Sequence, residues 1–194
     1  MTAPTLRERQ RVAARDEITR VALDLFLSQG FDRTTIDQIV TSVGISRRSF
    51  FRYFGTKEDI VLGDLVARGV VVAAAVAVRP AGEGPWEALR AGLQSSAETT
   101  MPDVKAGLAL GRMLLETPSL RARLLEKRLR WQEMLVPLIT ARLNDEHGGA
   151  RLRASAIVAS ALACLDAASE AWIESDGATD LDVGMARYQE RGWA

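Results

Sequence analysis

The sequence has little of the residue types that disulfide-bonded, metal-binding and catalytic proteins use. It contains one cysteine, Cys164, and one histidine, His147. A single cysteine excludes a disulfide within the chain, and with one histidine there is no cluster to hold a metal ion. There is also no Ser–His–Asp spacing, no glycine-rich phosphate loop and no isolated pair of carboxylates. We therefore expect neither an enzyme nor a protein with a metal or cofactor.

A long apolar run is also missing. The longest, residues 69–78, has ten residues, whereas about 20 are needed to cross a bilayer as a helix. The first eleven residues are polar and basic and no apolar segment follows them, so we expect no signal peptide. These features predict a soluble, cytoplasmic protein with no membrane partner.

Neither sign of charge is in excess over the whole chain, but the charges are unevenly distributed. The 25 Lys and Arg residues balance the 25 Asp and Glu residues. Residues 1–57 contain ten of the former and six of the latter, a net charge of +4, which leaves −4 for residues 58–194. A basic N-terminal part joined to an acidic remainder indicates a nucleic-acid-binding module attached to a domain with another role.

The pattern that is present is helical throughout, without the alternation of a β-strand. Apolar spacing, caps and breakers predict nine helices: 8–29, 35–43, 47–54, 57–78, 86–100, 103–116, 118–144 with Pro137 inside it, 150–175, and a short one from Asp180. Val12 is among the side chains of the first helix that we expect to face inward. We predict an all-α fold, with a three-helix N-terminal domain (residues 1–56) and a larger C-terminal domain (residues 57–194).

Residues 34–57, TTIDQIVTSVGISRRSFFRYFGTK, have the local signals of two short helices joined by a tight turn. Thr35 is placed to cap the first helix, with Gln38 at the capping-box spacing. Gly44 suits the residue of positive φ that ends a helix, and Ser46 is placed to cap the second. This order of signals predicts a helix-turn-helix, whose second helix enters the major groove of DNA.

At about 100° per residue, the second of these helices has an aromatic side and a polar side. The aromatic side consists of Phe50, Phe51 and Phe54. The polar side consists of Arg48, Ser49, Arg52 and Tyr53. Arg47 falls on the apolar side by angle, but its position at the helix start lets its side chain reach a groove. A basic face alone is more often solvated than bound to nucleic acid; the caps, turn and aromatic anchor in order favour DNA binding.

These residues resemble the DNA-binding domain of the TetR family of bacterial transcriptional regulators. The family pattern is T-[VI]-x-x-I-A, then A-G-[VI]-S-x-x-[ST]-[FL]-Y-x-[YH]-F, then Lys; here Val40 replaces the usual Ala and Phe51 the usual Tyr. The resemblance implies base contacts from Arg47, Arg48, Ser49 and Phe51. It implies phosphate contacts from Thr35, Tyr53 and Lys57, with Arg52 able to serve either purpose. It also implies a homodimer on a double-stranded DNA operator.

Large or soft side chains in the C-terminal domain are candidates for a ligand pocket, although ordinary core packing explains each of them about as well. The candidates are Trp86, Leu89, Leu93, Met113, Leu114, Trp131, Met134, Leu138 and Trp172. The stretches RWQEMLVPL and AWIESDG resemble the acyl-CoA-sensing, mycofactocin-regulator-like group of the family. That resemblance implies an apolar or amphipathic inducer. Cations between Arg121 and Arg130 could meet coenzyme A phosphates, but a solvated helix face explains them more simply.

A stripe of small residues in the helix 150–175 is the candidate dimer interface. It consists of Ala156, Ala159, Ala163 and Ala167, and a second stripe beside it consists of Ile157, Ala161, Leu165, Ala168 and Trp172. Either stripe could instead be ordinary core. A two-fold dimer sets two recognition helices about 34–36 Å apart on one face of DNA, which favours an interface here.

The sequence therefore predicts a ligand-responsive regulator, a repressor that binds a palindromic operator as a homodimer and is released by a small apolar or amphipathic inducer. The alternative is a helical protein–protein interaction module that has lost DNA binding. The intact arginine face argues against that alternative.

Overall fold

The computed structural model describes residues 5–63, 65–98, 104–144 and 148–179. All regular secondary structure within these ranges is helical, as predicted. The helices are α1 (Leu6–Gln29), α2 (Ile36–Val43), α3 (Arg47–Phe51), α4 (Glu58–Leu62), α5 (Leu65–Ala77), α6 (Pro85–Glu98), α7 (Val104–Glu116), α8 (Pro118–Thr140) and α9 (Ala150–Glu174). The helix predicted over residues 57–78 is present as α4 and α5, and the one predicted from Asp180 lies outside the described residues.

Helix α8 contains Pro137 without ending there, but it stops at Thr140, earlier than the sequence pattern predicted. The N–H groups of Arg142 and Leu143 donate to the carbonyls of Ile139 and Thr140, each three residues back. These tighter turns end the α-helical ladder, in which each N–H reaches four residues back.

The chain divides into two compact units. The first contains the described residues up to Gly63 together with Met113–Arg121, and the second contains the other described residues. The first unit therefore holds α1 to α4, the second holds α5, α6 and α9, and α7 and α8 each contribute residues to both units. The predicted domain boundary between residues 56 and 57 stays a prediction.

Apolar side chains from α1 to α4 form the core of the first unit. The buried ones are Ile18, Ala22, Phe26, Ile39, Val40, Phe50, Phe54, Ile60, Val61 and Leu62. The expectation that Val12 faces inward is wrong, since its side chain is 58% exposed. No residue of α1 before Ile18 is buried. The first turns of α1 are therefore a solvent-facing surface of this unit.

The core of the second unit is built from α5, α6, α8 and α9. Its buried members are Val72, Val76, Ala88, Leu89, Leu93, Trp131, Leu135, Ile139, Ala154, Val158, Ala161, Leu162 and Cys164. Helix α5 passes unusually close to α8 at Gly69, where an added Cβ would lie 2.5 Å from Cδ1 of Trp131 and 2.7 Å from Cε of Met134. A larger residue at this position would force α5, the indole or the end of the Met134 side chain to shift.

Two stretches, Glu58–Ala77 and Ala150–Glu174, are long and apolar enough to cross a membrane when judged by length and composition alone. The core helices of water-soluble proteins pass the same test. Here Val72 and Val76 of the first stretch and Val158 of the second are fully buried in the core of the second unit. Core packing therefore accounts for part of the apolar character of each stretch, while Val70, Val71 and Leu152 remain exposed.

Candidate nucleic-acid interface

Helix α2 begins and ends as the sequence predicted. The Gln38 N–H donates to Oγ1 of Thr35 at 3.2 Å, and the Thr35 N–H donates to Oε1 of Gln38 at 2.8 Å, which completes the capping box. At the other end, Gly44 adopts a left-handed conformation with φ +76° and ψ +34°. The N–H groups of Gly44 and Ile45 both donate to the carbonyl of Val40. The chain therefore reverses sharply before the next helix.

Helix α3 starts at a second cap and is fixed by two aromatic side chains. The Ser49 N–H donates to Oγ of Ser46 at 3.1 Å. Phe50 and Phe54 are buried, with ring centroids 5.6 Å apart. Phe51, which the helical angle grouped with them, is instead 48% exposed, and its ring makes an edge-to-face contact with Phe50. The exposed ring lies on the surface with the arginines.

The arginines at the start of α3 differ in their surroundings. Arg47 forms an ion pair with Asp37 of α2 at 3.2 Å, and both side chains are more than half exposed. Surface pairs of this kind contribute about 0–1 kcal/mol, so this one can exchange for a phosphate or a base edge. Arg48 is exposed and makes no ion pair with any described residue. Its guanidinium is therefore available to a binding partner.

Arg52 and Tyr53, at the end of α3, form a pair on the surface. The guanidinium carbon of Arg52 lies 5.2 Å from the centroid of the Tyr53 ring, and its Nη2 donates to the Tyr53 hydroxyl at 3.4 Å. The two residues line one wall of an open groove of about 570 Å³. The other wall comes from the first turns of α1: Arg7, Gln10 and Arg11. No carboxylate lines this groove.

Lys57 has a structural role that sequence reasoning missed. Its ammonium donates to the carbonyl of Phe31 at 2.8 Å and to the carbonyl of Thr34 at 3.2 Å. It also lies 4.3 Å from the centroid of the Phe31 ring. These contacts tie the start of α4 to the loop between α1 and α2. A phosphate contact from Lys57 stays a prediction, and two of its three N–H groups already have partners.

The loop that Lys57 holds is stabilised by Thr34, which the sequence did not single out either. Thr34 is 1% exposed, and its hydroxyl donates to the carbonyl of Gly30 at 2.8 Å. The side-chain amide of Gln29 donates to the same hydroxyl at 3.1 Å. One feature of the sequence could have identified Thr34: two threonines precede α2, and the cap requires only Thr35.

Comparison with known proteins identifies the family. Residues 18–63 match the model of the bacterial regulatory proteins of the tetR family, and residues 83–191 match the MftR C-terminal domain. The chain belongs to the TetR family of bacterial transcriptional regulators. The first match contains the helix-turn-helix, and the second covers more than half of the chain.

Two relatives of this TetR-family chain are named as transcriptional regulators. TcmR of Streptomyces glaucescens is 35% identical over 145 residues, which is 72% of this chain and 64% of that protein. The mycofactocin biosynthesis regulator MftR of Mycobacterium tuberculosis is 27% identical over 134 residues, 69% of this chain and 68% of that protein. The match thus spans less than two thirds of the length of TcmR.

Solved structures of TetR-family proteins share the fold. The Thermus thermophilus repressor FadR, solved with lauroyl-CoA, has a TM-score of 0.58 at 24% identity over 91% of both chains. NalD, the secondary repressor of the MexAB-OprM multidrug efflux pump of Pseudomonas aeruginosa, has a TM-score of 0.59 at 18% identity over 94% of both chains. At these identities the likeness concerns the fold.

The predicted pocket residues of this TetR-family chain do not all come together. Six of them belong to one core: Leu89, Leu93 and Trp131 are buried in it, and Trp86, Met134 and Leu138 pack against it. Met113 and Leu114 belong to the first unit. Trp172 is half-buried, beside Gly177 in the second unit. These six residues pack as ordinary core in this structure. That they line a ligand pocket stays a prediction.

Among the cations predicted on α8, Arg128 is not on a solvated face. Its side chain is 17% exposed, its guanidinium lies 5.5 Å from the Trp131 ring, and its Nη2 donates to Oδ1 of Asp166 on α9. Nη1 is buried and has no hydrogen-bond partner among the described residues. Burial lowers the pKa of Arg128 and raises the pKa of Asp166. Desolvation of both groups therefore outweighs their attraction.

The two stripes on α9 have different environments. Ala156, Ala159, Ala163 and Ala167 are all exposed, and Leu152, one turn earlier, is 76% exposed. In the other stripe, Ala161 and Ala168 are buried, and Ile157 and Leu165 pack against the core. The first stripe therefore presents an apolar surface to solvent, while the second serves the core of the unit.

Proposed function

We propose that this TetR-family regulator is a homodimeric repressor that binds a palindromic operator through α3 and is released by a small apolar or amphipathic ligand. The observation that carries the proposal is the surface of α3. Buried Phe50 and Phe54 anchor the helix, while the side chains of Arg48 and Phe51 remain exposed. A rigidly held helix with an unpaired arginine on its outer face suits the reading of base edges.

In this proposal the DNA contacts fall into two groups. Arg47, Arg48, Ser49 and Phe51 read bases, and Thr35, Arg52, Tyr53 and Lys57 contact phosphates. The hydroxyl of Ser49 accepts a hydrogen bond from the hydroxyl of Ser46 at 3.1 Å. The Ser49 hydroxyl can therefore donate its own proton to an acceptor on a base edge. The ring of Phe51 has no hydroxyl, and we assign to it an apolar contact, such as the methyl group of thymine.

The dimer in this proposal uses the exposed stripe of α9. The alanines permit close helix–helix approach, and Leu125 and Leu129 of α8 add exposed apolar side chains, 61% and 60% exposed. Exposed apolar side chains along the length of a helix are typical of an interface that a second copy covers. The dimer then presents two α3 helices to successive major grooves.

The ligand in this proposal binds in the second unit, at the core around Trp86, Leu89, Leu93, Trp131 and Met134. The resemblance to the acyl-CoA-sensing, mycofactocin-regulator-like group and the lauroyl-CoA complex of FadR support acyl-CoA as the first class to try. To lower operator affinity a hundredfold, the ligand must prefer the DNA-free conformation by about 2.7 kcal/mol.

The experiment that tests this function is selection of bound DNA from a random pool with the purified protein, followed by sequencing. We expect a palindrome whose half-sites are separated by about one turn of DNA. With that operator, Arg48→Ala should relax the preference at one or two positions of each half-site, at a cost of about 1–3 kcal/mol for the preferred base. If a folded dimer enriches nothing at low salt, the interaction-module alternative is favoured instead.

A further inference from the structure

We propose that the groove between α1 and α3 holds the sugar–phosphate backbone of the operator, so that Arg7 and Arg11 contact phosphates outside the stretch read by α3. This inference rests on the proposed operator binding, and it adds to α3 a second DNA-contacting surface on the same unit. The site is the open groove of about 570 Å³, which is lined by Arg7, Gln10, Arg11, Arg52 and Tyr53.

The first argument comes from the spacing on α1. Arg7, Gln10 and Arg11 lie three and four residues apart, so they share one face of the helix. All three are exposed, because no part of α1 before Ile18 is buried. Arg9, between them in the sequence, does not line the groove. Of the three N-terminal arginines, Arg7 and Arg11 thus line the groove and Arg9 does not.

The second argument concerns charge. The lining includes three arginines and no carboxylate. The nearby Glu8 is engaged in capping α1, where it accepts the Thr5 N–H at 2.7 Å, and that hydrogen bond lowers the pKa of the carboxyl. Neither Arg7 nor Arg11 makes an ion pair with a residue in the described parts of the chain. A concave surface with unneutralised guanidinium groups favours a polyanion.

The third argument is the position of the groove relative to α3. Arg52 is the C-cap residue of α3 and Tyr53 follows it directly, and both of them line the groove. A DNA strand that passes this end of α3 therefore runs next into the protein groove between α1 and α3. Guanidinium and amide side chains that project from one wall are suited to phosphate oxygens, which fix register without reading sequence.

The test compares two double variants with the same change in charge. Arg7→Gln with Arg11→Gln removes the groove cations and keeps good helix formers. Arg9→Gln with Arg20→Gln removes two exposed arginines of α1 that lie outside the groove. Operator affinity is measured for both, and for the unaltered protein, between about 50 and 200 mM salt, with circular dichroism as the check on folding.

We expect the slope of log K against log salt to become shallower by about 0.9 for each lost phosphate contact, hence by about 3.6 for a dimer that loses four. The control variant should change the slope by less than half of that. Base preference in the selected operator should be the same for all three proteins. Ethylation interference on the operator should identify flanking phosphates that the unaltered protein requires and the groove variant does not.

Two results overturn the inference, and they are distinguishable. If the groove and control variants show equal slopes and equal interference patterns while the unaltered protein binds its operator, the groove does not hold DNA and the proposed function stands. If the unaltered, folded dimer binds no operator, both the function and the groove assignment are wrong.

Discussion

Replacing Lys57 with methionine separates two roles that the sequence and the structure assign to this residue. Methionine keeps an unbranched side chain of similar length but removes the ammonium. That ammonium donates to the carbonyls of Phe31 and Thr34 and lies over the Phe31 ring. A hydrogen bond to a charged group contributes about 1.5–3 kcal/mol, and an exposed cation–π contact about 0.5–1 kcal/mol.

The sum must be reduced because Lys57 is only half-buried and water can reach the carbonyls in the variant. We therefore expect Lys57→Met to lower the free energy of unfolding of the first unit by about 2–4 kcal/mol. The matched control is Arg48→Met, which removes an exposed cation without an ion pair and should change stability by less than about 0.5 kcal/mol.

The assay has to report on the first unit alone. None of the four tryptophans, at positions 86, 131, 172 and 193, lies in residues 1–63 or 113–121. Tryptophan fluorescence therefore does not follow this unit, and hydrogen exchange of the Phe54 amide, which donates to the Phe50 carbonyl, is the better measurement.

The result that would refute the structural reasoning is a Lys57→Met protein whose Phe54 amide exchanges at the unaltered rate. Suppose that, for this variant, the slope of log K against log salt also became shallower by about 0.9 per protomer. The role of Lys57 would then be the phosphate contact implied by the family resemblance.

Further substitutions test three other features: the turn at Gly44, the Arg128–Asp166 pair and the alanine stripe of α9. Gly44→Ala forces φ +76° on a residue with a Cβ, although that Cβ would meet nothing within 4 Å. We therefore expect the free energy of unfolding to fall by about 1–2 kcal/mol because of the backbone conformation alone. An unchanged denaturation midpoint would contradict this. Asp166→Ala removes the acceptor of the Arg128 Nη2 hydrogen bond and should cost about 1–3 kcal/mol, whereas Arg128→Met with Asp166→Leu should be neutral or stabilising. Because burial raises the pKa of Asp166, its ionisation weakens folding as the pH rises through that pKa; Asp166→Asn should remove this part of the pH dependence of urea denaturation. Ala163→Glu should shift the dimer towards monomer in sedimentation, while Arg151→Glu on another side of α9 should not, and equal behaviour of the two would exclude the alanine stripe as the interface.

The helix-turn-helix could be predicted from the sequence because its signals are local. The caps at Thr35 and Ser46 act over three residues, and Gly44 ends α2 by its own backbone conformation. The periodicity of α9 likewise identified two stripes of residues. Which of the stripes is buried could not be derived, since it depends on where the other helices of the unit pack.

The contacts that the sequence did not reveal join residues far apart in the chain. Lys57 donates to carbonyls 23 and 26 residues earlier, and Arg128 pairs with a carboxylate 38 residues later. The exposure of Phe51 was missed because helical angle alone placed it beside Phe50. Such features depend on tertiary packing, which a pattern of residue types in one segment does not encode.

The close approach of α5 to Trp131 at Gly69 gives the second unit an intrinsic optical reporter. With no side chain between them, the indole has the backbone of α5 as part of its immediate surroundings. A displacement of this helix by even an ångström alters the polarity and quenching that the indole experiences. In a variant whose other tryptophans, at positions 86, 172 and 193, are replaced by phenylalanine, movement of α5 can thus be read from the emission of Trp131 without a label.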